Sequence, residues 1–210
     1  MDKRYCIFDM DGTLLDTMGY WYQLDEDFLR LKGGEPDERL KRAGFMTMLQ
    51  LAEFFMENYG LKGPAQQLVD EMNAMMDRRY RFEAQPKQGV VEYLRALHEK
   101  GVKLSVATAT DARLAKAAFA RLGILELFEC VVSCEDVGFS KARPDVYLEA
   151  ARRMGAKPQD IAVFEDDLAA AQTAKQAGFY TVAVYDKYAE HWEELRAFCD
   201  EAMETFPCCI

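Results

Sequence analysis

The sequence predicts an α/β fold: a doubly wound parallel sheet with an inserted helical block. Three observations carry that expectation. Short apolar runs alternate with helix-length amphipathic segments from Pro86 to the C-terminus. One such run, Arg4–Phe8, stands alone at the N-terminus and ends in Asp9-Met10-Asp11-Gly12-Thr13. Between these two regions lies a stretch rich in methionine and aromatic residues with helical spacing and no strand-like run.

Each element has a local reason. Arg4–Phe8 is a first strand, punctuated by the turn at Gly12. Residues 17–83 then read as helices broken at Gly33-Gly34, Gly60 and Gly63-Pro64. Phe45, Met48, Leu49, Ala52, Phe55 and Met56 follow the spacing of one helix face there. Val90, Val91, Leu94 and Leu97 form a helical face that stops at Gly101, and Val102–Thr108 is the second strand. Asp111 is placed to cap the helix through Arg121. Cys130–Val132 is the third strand, and Pro144 opens a helix that reaches Met154 and stops at Gly155. Ile161–Phe164 and Tyr180–Val184 are the fourth and fifth strands, separated by a helix over Leu168–Ala177. Ala189–Glu204 reads as a closing helix. The expected organisation is a Rossmann-like core from 1–16 and 84–210 with a helical cap at 17–83.

Composition bounds the function. The 210 residues carry 26 Lys+Arg against 36 Asp+Glu, a formal charge of −10. Such a field repels nucleic acid and anionic membrane, so neither is an expected partner. No unbroken apolar run has the length of a spanning helix, and no signal-peptide core is present. The chain reads as soluble and cytoplasmic. The six cysteines, Cys6, Cys130, Cys134, Cys199, Cys208 and Cys209, show no zinc spacing. Cys208 and Cys209 read as a reduced tail.

In an open parallel sheet, ligands bind beyond the carboxyl ends of the strands. Those ends carry Asp9 to Thr13, then Thr108-Ala109-Thr110, then Ser140-Lys141 in the loop after the third strand, then Glu165-Asp166-Asp167. Crowded carboxylates need a metal to neutralise them, and oxygen-only ligation favours Mg²⁺. A hydroxyl, an ammonium and turn N–H groups can hold phosphate oxygens, and an aspartate beside the metal can attack phosphorus.

At these residues the sequence resembles the haloacid dehalogenase superfamily. The resemblance rests on Asp9-Met10-Asp11-Gly12-Thr13-Leu14-Leu15-Asp16-Thr17, Thr108, Ser140-Lys141-Ala142-Arg143-Pro144-Asp145 and Glu165-Asp166-Asp167, in that order along the whole chain. The insertion after the first motif resembles the type 1 cap of the β-phosphoglucomutase-like and phosphoglycolate phosphatase-like branch. The resemblance implies that Asp9 is a nucleophile and Mg²⁺ ligand. It makes Asp11 the general acid/base, giving its backbone carbonyl to the metal. Thr108 would hydrogen-bond the phosphoryl group, with Gly12 and Ala109 beside it, and Lys141 would balance charge. Asp166 would be the direct ligand of the last motif, supported by Glu165.

Two departures stand out. Asp167 replaces a small polar residue, which leaves it open as a competing ligand or a partner of Lys141. Arg143 follows Ala142 where a Pro-Ala pair is usual, and reads as a solvated arginine at a helix start. The aromatic group Tyr20, Trp21 and Tyr22 reads as core, and Arg78, Arg79 and Arg81 as a solvated helix face. His98 and His191 carry no role.

The expected function is a Mg²⁺-dependent phosphatase acting on a small phosphorylated metabolite through an aspartyl-phosphate, as a monomer or weak homo-oligomer. A hexose-phosphate mutase is the alternative enzyme. A non-catalytic binding protein on the same fold is the alternative of another class.

Overall fold

The structure, a computed structural model, describes residues 3–42, 46 and 48–207. Phe45, Cys208 and Cys209 therefore lie outside the described residues. The chain forms two compact units, one running through Thr17 and resuming at Ala84, the other spanning Met18–Glu83. Thr17 falls with the first unit, where its hydroxyl is bonded to Asp11.

The first unit is built on six parallel strands: β1 (Tyr5–Phe8), β2 (Lys103–Thr108), β3 (Phe128–Ser133), β4 (Ile161–Glu165), β5 (Tyr180–Val184) and β6 (Glu201–Met203). Their spatial order is β3-β2-β1-β4-β5-β6. The chain steps outward from β1 through β2 to β3, then returns to place β4 on the other side of β1. The order reverses between β1 and β4, and that crevice is where an open α/β sheet binds ligands. Register puts Phe8 beside both Val106 and Phe164, so Asp9, Thr108 and Glu165 emerge at the same edge.

Alternation along the strands sorts the two faces. Ile7, Ala107, Val132 and Val163 pack against Val146, Tyr147, Ala150 and Met154 of the helix Asp145–Met154. The neighbouring positions Phe8 and Phe164 stack at 4.3 Å, with Tyr93 of the helix Val90–Glu99 edge-on to Phe164. Sheet positions buried on both faces explain why these strands read as near-continuous apolar runs.

The helices of the chain, in order, are α1 (Met18–Leu31), α2 (Met48–Tyr59), α3 (Ala65–Phe82), α4 (Val90–Glu99), α5 (Ala112–Arg121), α6 (Cys134–Val137), α7 (Asp145–Met154), α8 (Leu168–Gln176) and α9 (Trp192–Phe198). Asp111 caps α5 by accepting from the Arg113 N–H, and Gly155 ends α7 in the left-handed conformation, as expected.

Two sequence expectations are corrected. The helix expected over 189–204 is only the short α9, followed by β6, so the sheet has six strands. Asp200 is the reason: its carboxylate accepts from the Thr181 N–H at 2.8 Å, and its own N–H donates to the Thr181 carbonyl at 2.9 Å. Those bonds draw the chain onto the β5 edge. In the other unit, α2 buries Leu51, Ala52, Phe54 and Phe55, while Leu49 is exposed. The predicted face shared Ala52 and Phe55 but was rotated from the true one.

The unit Met18–Glu83 contains no strand among its described residues. Helix α3 packs with both α1 and α2, with Phe28 and Phe55 rings 5.6 Å apart and Tyr80 fully buried. Among the described residues, no helix is long and apolar enough to cross a membrane.

Candidate active site

Asp9 sits just beyond β1, and its N–H still donates to the Phe164 carbonyl at 2.9 Å, extending the β1–β4 ladder by one bond. The chain then turns sharply. Leu14 and Leu15 N–H groups both donate to the Met10 carbonyl, and Gly12 takes φ 83°, a conformation that side chains other than glycine disfavour. This turn fixes Asp9 in a site where it is only 5% exposed.

Lys141, from the segment between α6 and α7, links two carboxylates. Its ammonium donates to Asp9 Oδ1 and, at 2.7 Å, to Glu165 Oε1. Burial pulls the lysine's pKa down, but Asp9 and Glu165 outweigh that and hold it well above the ordinary range. Burial raises Asp9 against the pull of Lys141, with Asp11 adding to the rise. Burial likewise pushes Glu165 up to about 8 and Asp166 well above the usual carboxylate range. All three carboxylates are thus in a setting that resists their charge.

Asp9, Glu165 and Asp166 each offer one oxygen within 4.8 Å of the others. One ammonium faces these three carboxylates, so two negative charges remain when all are ionised. Asp9 Oδ2 is buried with no hydrogen-bond partner, a costly arrangement unless a ligand completes it. An all-oxygen donor set with a net deficit of positive charge fits a hard divalent cation such as Mg²⁺.

Asp11 is held differently. Thr17 donates to its Oδ1 at 2.6 Å and Thr110 to its Oδ2 at 2.7 Å, so both oxygens are engaged away from the three-carboxylate cluster. Thr108 is fully buried at the end of β2, where its Oγ1 accepts from the Thr110 N–H at 3.0 Å. Ala109, between them, is exposed. Gly12 is buried, and its carbonyl accepts from Lys87 Nζ at 2.6 Å.

Asp167 is engaged at a helix start. Its carboxylate accepts from the Ala170 N–H at 2.8 Å as the cap of α8, and Lys141 goes to Asp9 and Glu165 instead. Asp166 Oδ1 accepts from the Thr13 hydroxyl at 3.2 Å. Arg143 is exposed, paired with Asp145 and stacked 3.6 Å from the Phe139 ring centroid.

Arg79 departs from the expectation of a solvated face. Its guanidinium is largely buried and donates to the Tyr20 carbonyl at 2.8 Å and Asp27 at 2.6 Å. Arg78 and Arg81 are exposed as expected. The aromatic group expected as core is not buried: Tyr22 is exposed and Tyr20 and Trp21 are half-buried, with Trp21 Nε1 donating to the Tyr80 hydroxyl at 2.9 Å.

Four contributors escaped the sequence reading. Thr110 was quoted at the end of the second strand and Tyr147 lies two residues past a quoted motif, but neither had an assigned role. Thr17 was part of the first motif but carried no task. Lys87 stands one residue after Pro86, with nothing in its surroundings to mark it. The Tyr147 hydroxyl donates to Glu165 Oε1 at 2.6 Å. Lys87 bonds the Gly12 and Tyr185 carbonyls and pairs with the buried Asp186 at 3.1 Å.

Comparisons with known proteins agree with this architecture. The chain is 29% identical over 198 residues to the fructose-1-phosphate phosphatase YqaB of Escherichia coli (strain K12), spanning 88% of this chain and 98% of that one. It is 27% identical over 187 residues to the phosphoglycolate phosphatase of Rhodobacter capsulatus, covering 87% of this chain and 84% of that one. In fold it is similar to a HAD hydrolase of family IA, variant 3, from Entamoeba histolytica, with a TM-score of 0.80, 20% identity, and 96% and 93% of the two chains covered. The description of the haloacid dehalogenase-like hydrolases matches residues 3–178. That span takes in every strand end that meets in the crevice, and the chain belongs to the haloacid dehalogenase-like hydrolase family.

Proposed function

We propose that this chain is a Mg²⁺-dependent phosphatase that hydrolyses a small phosphate monoester through an aspartyl-phosphate on Asp9. The observation that carries the reading is the buried, unpartnered Oδ2 of Asp9 inside a three-carboxylate cluster that a single lysine only partly neutralises. Relatives named as phosphatases for a sugar phosphate and for phosphoglycolate support it.

Asp9, Glu165 and Asp166 would hold the cation, with the Asp11 backbone carbonyl. When bound, it supplies positive charge that offsets repulsion between Asp9 and an anionic phosphate. Asp9 attacks phosphorus, and the bond to the ester oxygen breaks as the new Asp9–phosphorus link forms. Asp11 protonates the departing ester oxygen, then takes a proton from the water that attacks phosphorus and frees phosphate. Its two threonine partners suit that alternation, because a hydroxyl can donate to a carboxylate or accept from a carboxylic acid. Lys141 and the Thr108 hydroxyl, with the turn N–H of Ala109, stabilise charge on the transferring group, whereas the expected Gly12 N–H is spent on the Leu15 carbonyl at 2.9 Å. The helical unit Met18–Glu83 serves as the substrate-selecting cap.

The test is inorganic phosphate release from a panel of phosphate monoesters, in Mg²⁺ and in EDTA. Fructose 1-phosphate, phosphoglycolate and β-glucose 1-phosphate belong in the panel, with glucose 6-phosphate sought among the products of the last. Phosphate release that stops in EDTA is the expected result. Glucose 6-phosphate with little free phosphate would replace hydrolysis by a mutase reaction.

A further inference from the structure

We propose that Tyr147 is a positioning residue of the carboxylate centre, setting the orientation of Glu165 and, through it, of Lys141. This rests on the metal-dependent reading above.

The geometry is specific. Tyr147 lies on the buried face of α7, fully inaccessible, with its ring 6.1 Å from that of Phe179. A buried phenol must place its hydroxyl on an acceptor. Tyr147 uses a carboxylate of the site: its hydroxyl donates to Glu165 Oε1 at 2.6 Å. Lys141 donates to the same oxygen at 2.7 Å, while its ammonium also contacts Asp9 Oδ1. The ammonium lies 5.8 Å from the Tyr147 ring centroid.

Four groups thus form a chain from phenol to Glu165 to Lys141 to Asp9, anchored at one end to a packed helix. Glu165 has three rotatable side-chain bonds, and Lys141 has four. Neither alone defines where the ammonium sits. The phenol pins one Glu165 oxygen, that oxygen positions the ammonium, and the ammonium engages Asp9 Oδ1 and leaves Oδ2 free. With both donors on Oε1, the second Glu165 oxygen is the one left for a cation. Groups that orient ligands in this way typically change metal affinity or activity by about 10–100-fold when removed.

The experiment compares the full-length protein with Tyr147→Phe, which deletes one oxygen and keeps the ring. A third form carries para-aminophenylalanine at 147, which restores a donor in the same place. Mg²⁺ binding is measured by calorimetry in the absence of substrate, and kcat and KM on the best substrate of the panel. For Tyr147→Phe the Mg²⁺ dissociation constant should rise and kcat should fall, each by about 10-fold or more, with substrate KM changed less. The amino variant should recover most of both.

A purely structural role predicts a lower melting temperature with Mg²⁺ affinity and kcat unchanged, and that result would overturn the proposal. So would equal losses in the phenylalanine and amino variants. Should the phenylalanine variant fail to fold, the amino variant decides by its Mg²⁺ affinity: near wild-type supports the proposal, a tenfold loss overturns it. Calorimetry keeps this separate from the phosphatase reading. Weaker Mg²⁺ binding in Tyr147→Phe supports the positioning role even without turnover, whereas wild-type phosphate release with unaltered variants leaves the phosphatase and removes the role.

Discussion

Replacing Lys87 with methionine should destabilise the first unit by about 3 kcal/mol, and part of that loss should return when Asp186 is also changed. The lysine side chain is 16% exposed and that of Asp186 only 2%, with Nζ and Oδ2 3.1 Å apart. Methionine preserves the length of the chain and removes the charge. Asp186 is then left in a nearly dry site with the Tyr188 N–H, at 2.9 Å, as its remaining donor. The Gly12 and Tyr185 carbonyls lose the same ammonium. Breaking a buried pair from one side costs about 3–5 kcal/mol, and the partial exposure of Lys87 places this case at the lower end. Asp186→Asn keeps the Oδ1 acceptor for Tyr188 and removes the stranded charge. In the Lys87→Met background it should therefore recover about 1–2 kcal/mol, whereas in the wild type it should cost stability. The assay is urea denaturation followed by tryptophan fluorescence, since Trp192 lies 5.2 Å from the Tyr185 ring beside this junction. A loss below about 1 kcal/mol, or strictly additive effects of the two changes, would refute the reasoning.

Further outcomes follow from the same electrostatics. Burial holds Glu165 at about 8 against an ordinary 4.5, so its protonated form is favoured in the folded state. Its stabilising contribution is full below the unfolded value and is lost as pH rises through about 8. Mg²⁺ should therefore raise the melting temperature more near pH 9 than near pH 6, and equal shifts in thermal-melt assays would contradict this. Asp11→Asn should lower turnover by roughly 10²–10⁴-fold. Because the Asp11 carboxylate lies outside the three-carboxylate cluster, Mg²⁺ binding measured by calorimetry should survive that change.

The alternating order of β1, β2, β4 and β5 with their helices was legible because each strand is an apolar run buried on both faces. The site was legible for a related reason: parallel strands bring their carboxyl ends to one edge, so Asp9, Thr108 and Glu165 converge once the topology is known. What stayed hidden depends on tertiary contacts. Strand β6 is three residues long and half-exposed, and only the bonds of Asp200 to Thr181 reveal why the chain extends there. Tyr147 occupies a core position of an amphipathic helix, where an aromatic is ordinarily packing; its hydroxyl has meaning only beside Glu165. Arg79 looked like one member of a basic surface stripe, yet Asp27 and Tyr20, more than fifty residues earlier, bury it. Asp167 could not be separated from its acidic neighbours until the helix start showed which carboxylate faces the Ala170 N–H.

The most direct test of the account is to trap the phosphoenzyme. Turnover of the best substrate in Mg²⁺ would be quenched rapidly in acid and the peptides mapped by mass spectrometry, with Asp9→Asn run alongside. The account predicts a phosphoryl group on Asp9 in the wild type, and neither label nor Mg²⁺-dependent phosphate release in the variant. Phosphate release that persists in Asp9→Asn, or a label on another residue, would contradict it.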